Sequence, residues 1–259
     1  MQKRAVKTVT EQDNRFTTKA LVIKEMKIGE SDRLVTLFSK DFGIIKAFAS
    51  GANNIKSKKA SATSLLTYSS FTIKRKKDSL RIYEATPISV FFGAGSDIEI
   101  LALSQYFCEL ANEFAVSGTP NEEFLRLILN SLHFLTKEKR FPPLIKAITE
   151  LRVAVISGYS PDLVACDGCG KFEDDIMYFN VNDGNLRCGD CQKDSGYKPI
   201  NRTILSAMRH IVYSKFQNLY SFEIPDDSAN ILSQITGEYI TVQTDHKFST
   251  LQFYESIKE

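Results

Sequence analysis

Four of the five cysteines in this 259-residue chain occur as two C-x-x-C pairs within one short segment. Cys166 and Cys169 form the first pair, Cys188 and Cys191 form the second, and eighteen residues separate them. Four thiolates held in two such turns complete a tetrahedral shell around Zn2+, whereas a catalytic zinc ion keeps one position open for water or substrate. The spacing therefore predicts a structural zinc ion.

The residues between and around the two pairs favour a zinc ribbon over 165–194. The string IMYFNV alternates apolar and polar residues, and Asn182, Asp183 and Gly184 follow it as turn formers, which predicts a hairpin. A zinc deaminase would carry proline before its C-x-x-C, and a thioredoxin-like redox motif would lie in a βαβ unit. Neither context is present in the sequence. The alternative is that these cysteines bind no metal.

No other motif in the sequence indicates catalysis. There is no G-x-x-x-x-G-K-[ST] loop for nucleotide phosphates. Two of the three histidines, His133 and His210, fall within apolar patterns of helical period, and so does the fifth cysteine, Cys108. We expect these three side chains to serve the core or a helix face, and the protein to act by binding rather than as an enzyme.

The charge of the chain is divided unequally along its length. Residues 1–90 contain 18 Lys and Arg against 8 Asp and Glu, a net charge of +10, whereas residues 91–259 contain 15 against 23, a net charge of −8. A basic segment joined to an acidic one indicates a polyanionic partner for the first and a separate role for the second.

Ten basic residues of the first segment are candidates for phosphate contacts. They are Arg33, Lys46, Lys56, Lys58, Lys59, Lys74, Arg75, Lys76, Lys77 and Arg81. Seven aromatic residues lie among them: Phe16, Phe38, Phe42, Phe48, Tyr68, Phe71 and Tyr83. Cations with exposed rings suit single-stranded nucleic acid. The alternative is that the rings fill a small core and the lysines protect strand edges from aggregation.

The hydrophobic pattern places these residues on two kinds of structure. Five short strands with turn signals over residues 16–92 predict a small closed or partly open barrel, preceded by a flexible arm at 1–15. From residue 93 to 259 the apolar period becomes helical and predicts five helices, the fourth over 201–220, with the ribbon inserted between the third and fourth. The fold class expected is a multidomain α+β protein.

The first residues and the composition of the chain indicate the cellular compartment of the protein. The string MQKRAVKTVTEQDN is basic and polar with no apolar run behind it, unlike a secretory signal peptide. Hydrophobic residues make up 43% and charged residues 25%, and no stretch approaches the roughly eighteen consecutive apolar residues of a membrane span. We therefore expect a cytoplasmic protein.

The sequence resembles the RecO family of bacterial recombination mediators over nearly all of the chain after residue 16. The resemblance rests on two motif groups. The first comprises Gly29-Glu30, Asp32-Arg33-Leu34, Gly43 and Ala49-Ser50-Gly51; the second comprises Glu150-Leu151, Gly158, Pro161, Cys166, Cys169, Gly170, Phe179, Gly184, Cys188 and Cys191. Tyr68, where proline is common, and the first 14 residues depart from the family pattern.

The resemblance implies a function that composition alone does not indicate. Members bind single-stranded and double-stranded DNA, anneal complementary strands without ATP, engage single-strand-binding protein, and work with RecR to load the RecA recombinase. It also implies an oligonucleotide-binding (OB) barrel over 16–92, a helical domain, a structural zinc ion and a place in the bacterial cytoplasm near the nucleoid. Two alternatives stay open: a zinc-ribbon scaffold that binds only proteins, and an RNA-binding barrel protein.

Overall fold

The computed structural model describes residues 15–54, 56–57, 59–76, 79–92 and 97–258. The chain divides into two compact units. The first comprises the described residues within 1–95 together with 111–125, and the second comprises those within 96–110 and 126–259. The arm predicted at 1–15 falls outside the described residues except for Arg15, which begins the first strand. The domain boundary placed between residues 92 and 93 stays a prediction.

Five strands of the first unit close into a barrel, as the sequence predicted. They are β1 (Arg15–Ile28), β2 (Asp32–Ser39), β3 (Gly43–Ala49), β4 (Thr67–Lys76) and β5 (Ser79–Val90). The order around the barrel is β1-β2-β3-β5-β4. Neighbouring strands are antiparallel except β3 and β5, which run parallel and pair through Phe48 and Arg81. The turn signals predicted a small barrel, and the family resemblance implied the OB type; the closed OB-like barrel confirms both.

Alternation along the strands fills the barrel core. In β3, Ile45, Ala47 and Ala49 are buried while Lys46 between them is exposed, so a shift of one residue in register would bring Lys46 into the core. All five strands contribute to one buried cluster, which includes Ala20, Val22, Val35, Leu37, Ile45, Ala47, Phe71, Ile73 and Ile82. Each large apolar side chain buried there stabilises the barrel by about 1.5–3 kcal/mol.

The turn between β2 and β3 is held by residues 116–121 of the same unit. The backbone N–H of Gly118 donates to Phe42 O at 2.8 Å, and that of Asn121 donates to Lys40 O at 3.0 Å. Gly43 has φ +62°, and a Cβ there would lie 1.9 Å from Val116 O. Only glycine allows both this backbone conformation and this close approach, so Gly43 fixes the position of the turn.

The second unit is mainly helical, and the described residues form six α-helices in place of the five predicted. They are α1 (Ile98–Phe114), α2 (Glu122–Thr136), α3 (Pro142–Ile156), α4 (Arg202–Tyr213), α5 (Asp226–Thr244) and α6 (Ser249–Ser256). Residues 111–114 of α1 and 122–125 of α2 belong to the first unit. The helix expected over 201–220 ends at Tyr213, and a separate short 3-10 helix covers Phe216–Asn218. α3 packs along α5. None of the helices in the described ranges has the length and apolar composition of a membrane span.

A three-stranded antiparallel sheet carries the cysteine region between α3 and α4. Its strands are β6 (Ile176–Asn180), β7 (Asn185–Cys188) and β8 (Tyr197–Asn201), in the order β7-β6-β8. The hairpin of β6 and β7 is the one predicted, and Gly184 in its turn has φ +67°. β8 was not predicted, because Pro199 at its centre argues against a strand interior. It pairs with β6 alone, as an edge strand.

Candidate metal centre and nucleic-acid interface

The structure brings all four predicted ligands together. The Sγ atoms of Cys166, Cys169, Cys188 and Cys191 lie within 4.8 Å of one another, and those of Cys169 and Cys188 are 3.6 Å apart. Four sulfurs around a tetrahedral ion at about 2.3 Å from each would be separated by about 3.8 Å. The donor set therefore fits one metal ion, and soft thiolate ligands favour a metal such as zinc over magnesium or calcium.

Two tight turns aim these sulfurs at a common point. In the first, Cys166 N donates to Lys171 O at 2.8 Å and Gly170 N donates to Cys166 O at 2.9 Å, with Gly170 at φ +73°. In the second, Cys191 N donates to Cys188 O at 3.1 Å. Because β7 ends at Cys188, the β6–β7 hairpin sets the distance between the two turns.

Backbone donors favour the thiolate form of Cys166, whereas hydrogen bonds with the neighbouring cysteine sulfurs raise the pKa of Cys191 to about 12. Burial raises the pKa of the Cys166 thiol, but N–H groups of Cys188, Cys169 and Gly168 outweigh burial and lower that pKa to about 6. The N–H of Cys188 lies 3.3 Å from Cys166 Sγ. Metal ligands must be deprotonated, so the backbone around Cys166 suits this thiol as a ligand. Cys108 differs, since burial alone raises the pKa of its thiol to about 12.

Arg209 of α4 attaches the cysteine region to the helices, and sequence patterns gave no signal for this role. Its guanidinium donates to Leu163 O at 2.8 Å, Val164 O at 3.0 Å and Phe172 O at 2.6 Å. The same group lies 4.0 Å from the centre of the Phe172 ring. A planar guanidinium with five donors can serve several carbonyls at once, so one side chain anchors both flanks of the first turn.

Six of the ten predicted phosphate-binding residues are exposed on the barrel. They are Lys46, Lys56, Lys74, Arg75, Lys76 and Arg81. Lys58 and Lys77 lie outside the described residues. Whether any of the ten contacts DNA stays a prediction.

Three cations form a row across adjacent strands of the barrel. Lys74 of β4 stands directly opposite Arg15 of β1 on one side and Arg81 of β5 on the other. Directly opposed residues of an antiparallel pair share a face, and like charges placed so are destabilising. The row therefore suits a polyanion. Arg15 also stacks on Tyr83, with its guanidinium 4.0 Å from the ring centroid. Arg15 was missed because its pairing with β4 depends on non-local register.

Arg33 and Lys59 differ from the exposed cations because the barrel itself binds their charged groups. Arg33 Nε donates to Asn53 Oδ1 at 2.7 Å, and its Nη1 lies 2.9 Å from Glu25 Oε2 and 3.2 Å from Ala60 O. Lys59 Nζ donates to Ile82 O at 3.0 Å. Both side chains hold the connection between β3 and β4 against the barrel, which favours a positioning role for them.

An OB-like barrel with exposed cations, in a chain that also carries a cluster of four cysteines, is typical of nucleic-acid-associated proteins. Comparison with known proteins specifies the family. Residues 14–91 match the family model described as Recombination protein O N terminal, and residues 95–252 match Recombination protein O C terminal. The chain therefore belongs to the RecO family of DNA repair proteins.

Individual relatives agree with this assignment across almost their whole length. The DNA repair protein RecO of Acetivibrio thermocellus is 32% identical over 245 residues, which cover 94% of this chain and 98% of the relative. That of Caldicellulosiruptor bescii is 27% identical over 241 residues, covering 93% and 98%. That of Dehalococcoides mccartyi is 28% identical over 221 residues, covering 85% and 86%.

Proposed function

We propose that this protein is a recombination mediator that binds single-stranded and double-stranded DNA through its barrel and anneals complementary strands without ATP. The observation that carries the proposal is the row of Arg15, Lys74 and Arg81, with Lys46, Arg75 and Lys76 also exposed on the barrel. Cations that face one another on a sheet repel each other, and this repulsion falls when phosphates bind between them. Binding also releases counterions from the DNA.

Annealing on such a surface requires no catalytic group. Two complementary backbones repel each other, and a basic surface that binds both reduces that repulsion while leaving the bases free to pair. We therefore infer a binding protein rather than an enzyme. Membership of the RecO family supports the wider role: loading RecA onto strands coated with single-strand-binding protein, in concert with RecR, in the cytoplasm near the nucleoid.

The metal that fits the four cysteines best is Zn2+, and we propose a structural role for it. Cys166, Cys169, Cys188 and Cys191 would hold it, and when bound it would tie the two turns together by four metal–sulfur bonds. Lys171, which lies 3.0 Å from both Asp174 and Asp190, already links the segment after the first turn to the second turn. The ribbon is a scaffold on this account, and the phosphate contacts belong to the barrel.

Strand annealing tests the proposed function. Complementary labelled oligonucleotides, bare or coated with single-strand-binding protein, are mixed with the full chain in the absence of nucleotide. The proposal predicts faster annealing in both settings and a steep loss of the effect as salt rises. An RNA-binding protein would prefer RNA when both nucleic acids compete. A scaffold that binds only proteins would show no salt-dependent affinity for oligonucleotides, and that result would reject the proposal.

A further inference from the structure

A groove of about 390 Å³ opens at one end of the barrel, where β1, β3 and β5 begin and β4 ends. Phe16, Phe42 and Leu80 supply much of its apolar wall, and Arg15, Lys46 and Arg75 supply its charge. We propose that this groove takes one unpaired base of a single DNA strand, while the three cations bind the phosphates on either side of it. The inference rests on the proposed function and assigns it a nucleotide-sized site.

The apolar wall has the shape and chemistry of a stacking site. The rings of Phe16 and Phe42 meet edge to face, with centroids 4.7 Å apart and planes at 62°. Phe16 and Leu80 pack on the barrel core from its edge, whereas Phe42 remains 36% exposed. An aromatic face open to solvent can stack on any base, because every base has a π-face. The volume lies near the lower end of the range of about 300–1,000 Å³ for small-molecule sites.

The charge around the groove selects the class of ligand. Lys46 and Arg75 are exposed, and neither charged group has an ion-pair partner among the described residues. Arg15 lies half-buried beside them. A purely apolar partner would bring no charge to Lys46 and Arg75, whereas a nucleotide offers an apolar ring together with phosphates. Charge complementarity therefore favours a nucleic acid strand in this groove.

The groove is held in shape by contacts already described in the barrel unit. Phe42 belongs to the turn between β2 and β3, where Gly118 N donates to Phe42 O at 2.8 Å and Gly43 permits the close approach of Val116. A ring fixed before binding loses less conformational entropy when a base stacks on it. Bases inside a duplex are already stacked and cannot enter, so the groove would give the protein a preference for single strands.

The absence of tryptophan from the chain gives a direct test. In Phe42→Trp, the introduced indole is the sole tryptophan and reports stacking through quenching of its fluorescence. Phe253→Trp is the matched control, since Phe253 is an exposed phenylalanine of α6, distant in sequence from the groove residues. Each variant is titrated with oligothymidine and with an abasic oligonucleotide of equal length, while anisotropy of a labelled strand measures binding independently.

The inference predicts that oligothymidine quenches Phe42→Trp but not Phe253→Trp, and that the abasic strand binds without quenching. In parallel, Phe42→Ala should weaken binding of oligothymidine about fivefold to a hundredfold and leave abasic binding and the unfolding temperature nearly unchanged. Binding by anisotropy with no quenching of Phe42→Trp would overturn the groove while leaving the proposed function intact. No binding of any strand at low salt would reject the proposed function itself.

Discussion

Lys146 and Glu150 form an ion pair one turn apart on α3, with 3.0 Å between Nζ and Oε1 and both side chains almost completely buried. Lys146 Nζ also donates to Ser233 O at 2.8 Å, while the Glu150 carboxylate accepts from Tyr106 and Thr236. A Cβ on Gly237 would lie 2.7 Å from Lys146 Nζ. Glycine in the middle of α5 therefore lets this helix pack against a buried polar network.

Replacing one member of this pair should lower the free energy of unfolding far more than replacing both. Burial raises the pKa of Glu150, and attraction from Lys146 opposes that rise. Lys146→Met leaves the carboxyl buried without its cation, so we expect a loss of about 3–5 kcal/mol in the free energy of unfolding. The double variant Lys146→Met with Glu150→Leu should recover part of the loss. Urea unfolding checks both, and a single variant as stable as the double would contradict the account.

Glu109 of α1 caps the N-terminus of α6, and this contact predicts a pH dependence. Its Oε2 accepts from Thr250 N at 2.9 Å and its Oε1 accepts from Ser249 N at 3.2 Å. Burial raises the pKa of Glu109, but the hydrogen bonds from Thr250 and Ser249 outweigh burial and bring the pKa below its usual value. A carboxyl whose pKa is lower in the folded state stabilises the fold above its unfolded pKa and loses that contribution as pH falls.

We therefore expect Glu109→Gln to lower the free energy of unfolding by about 1 kcal/mol at pH 7. The difference between wild type and variant should begin to shrink as pH falls below about 4.3, the ordinary pKa of glutamate, and should be lost once the folded carboxyl is also protonated. Thermal unfolding of both proteins between pH 7 and the acid range measures this difference. Glu84→Gln is the control, because Glu84 is an exposed residue of β5 and lies in no helix. A difference that stays constant with pH would exclude the capping carboxylate as its cause.

Loss of one cysteine should remove the metal and destabilise the ribbon before it affects DNA. Cys166→Ser removes a ligand that also accepts a hydrogen bond from Cys188 N, so zinc content should fall from about one ion per chain to near zero. Cys108→Ala is the control, because Cys108 is not part of the cluster and should leave zinc content unchanged. Atomic absorption and thermal unfolding measure the outcome. Full zinc content and stability in Cys166→Ser would reject a structural metal site.

Features that depend on local pattern could be predicted from the sequence. The five barrel strands followed from alternation and turn residues. The clustering of the four cysteines followed from C-x-x-C spacing, since each turn places its own two sulfurs. The hairpin between the pairs followed from Asn182 to Gly184. The residues that determine each of these elements lie within a few positions of one another in the sequence.

Features that depend on partners distant in sequence could not be predicted. The row of Arg15, Lys74 and Arg81 requires the register of three strands, and non-local pairing sets that register. The eight-residue helix α6 is too short to be stable alone, and its capping carboxylate comes from Glu109, 140 residues earlier than Ser249. The pair of Lys146 and Glu150 resembles an ordinary solvated i,i+4 pair until α5 covers it.

The salt dependence of DNA binding tests the central claim most directly, namely that the exposed cations of the barrel neutralise phosphates. Affinity for one single-stranded oligonucleotide is measured over a range of salt for three proteins. They are the wild type, the double variant Lys74→Ala with Lys76→Ala, and the control double variant Lys137→Ala with Lys247→Ala. The control lysines are exposed residues of the second unit. Each phosphate contact contributes about 0.7 to the slope of log affinity against log salt. We predict a slope flatter by about 1.4 for the barrel variant, with the control unchanged. An unaltered slope in the barrel variant, or equal flattening in the control, would contradict the account.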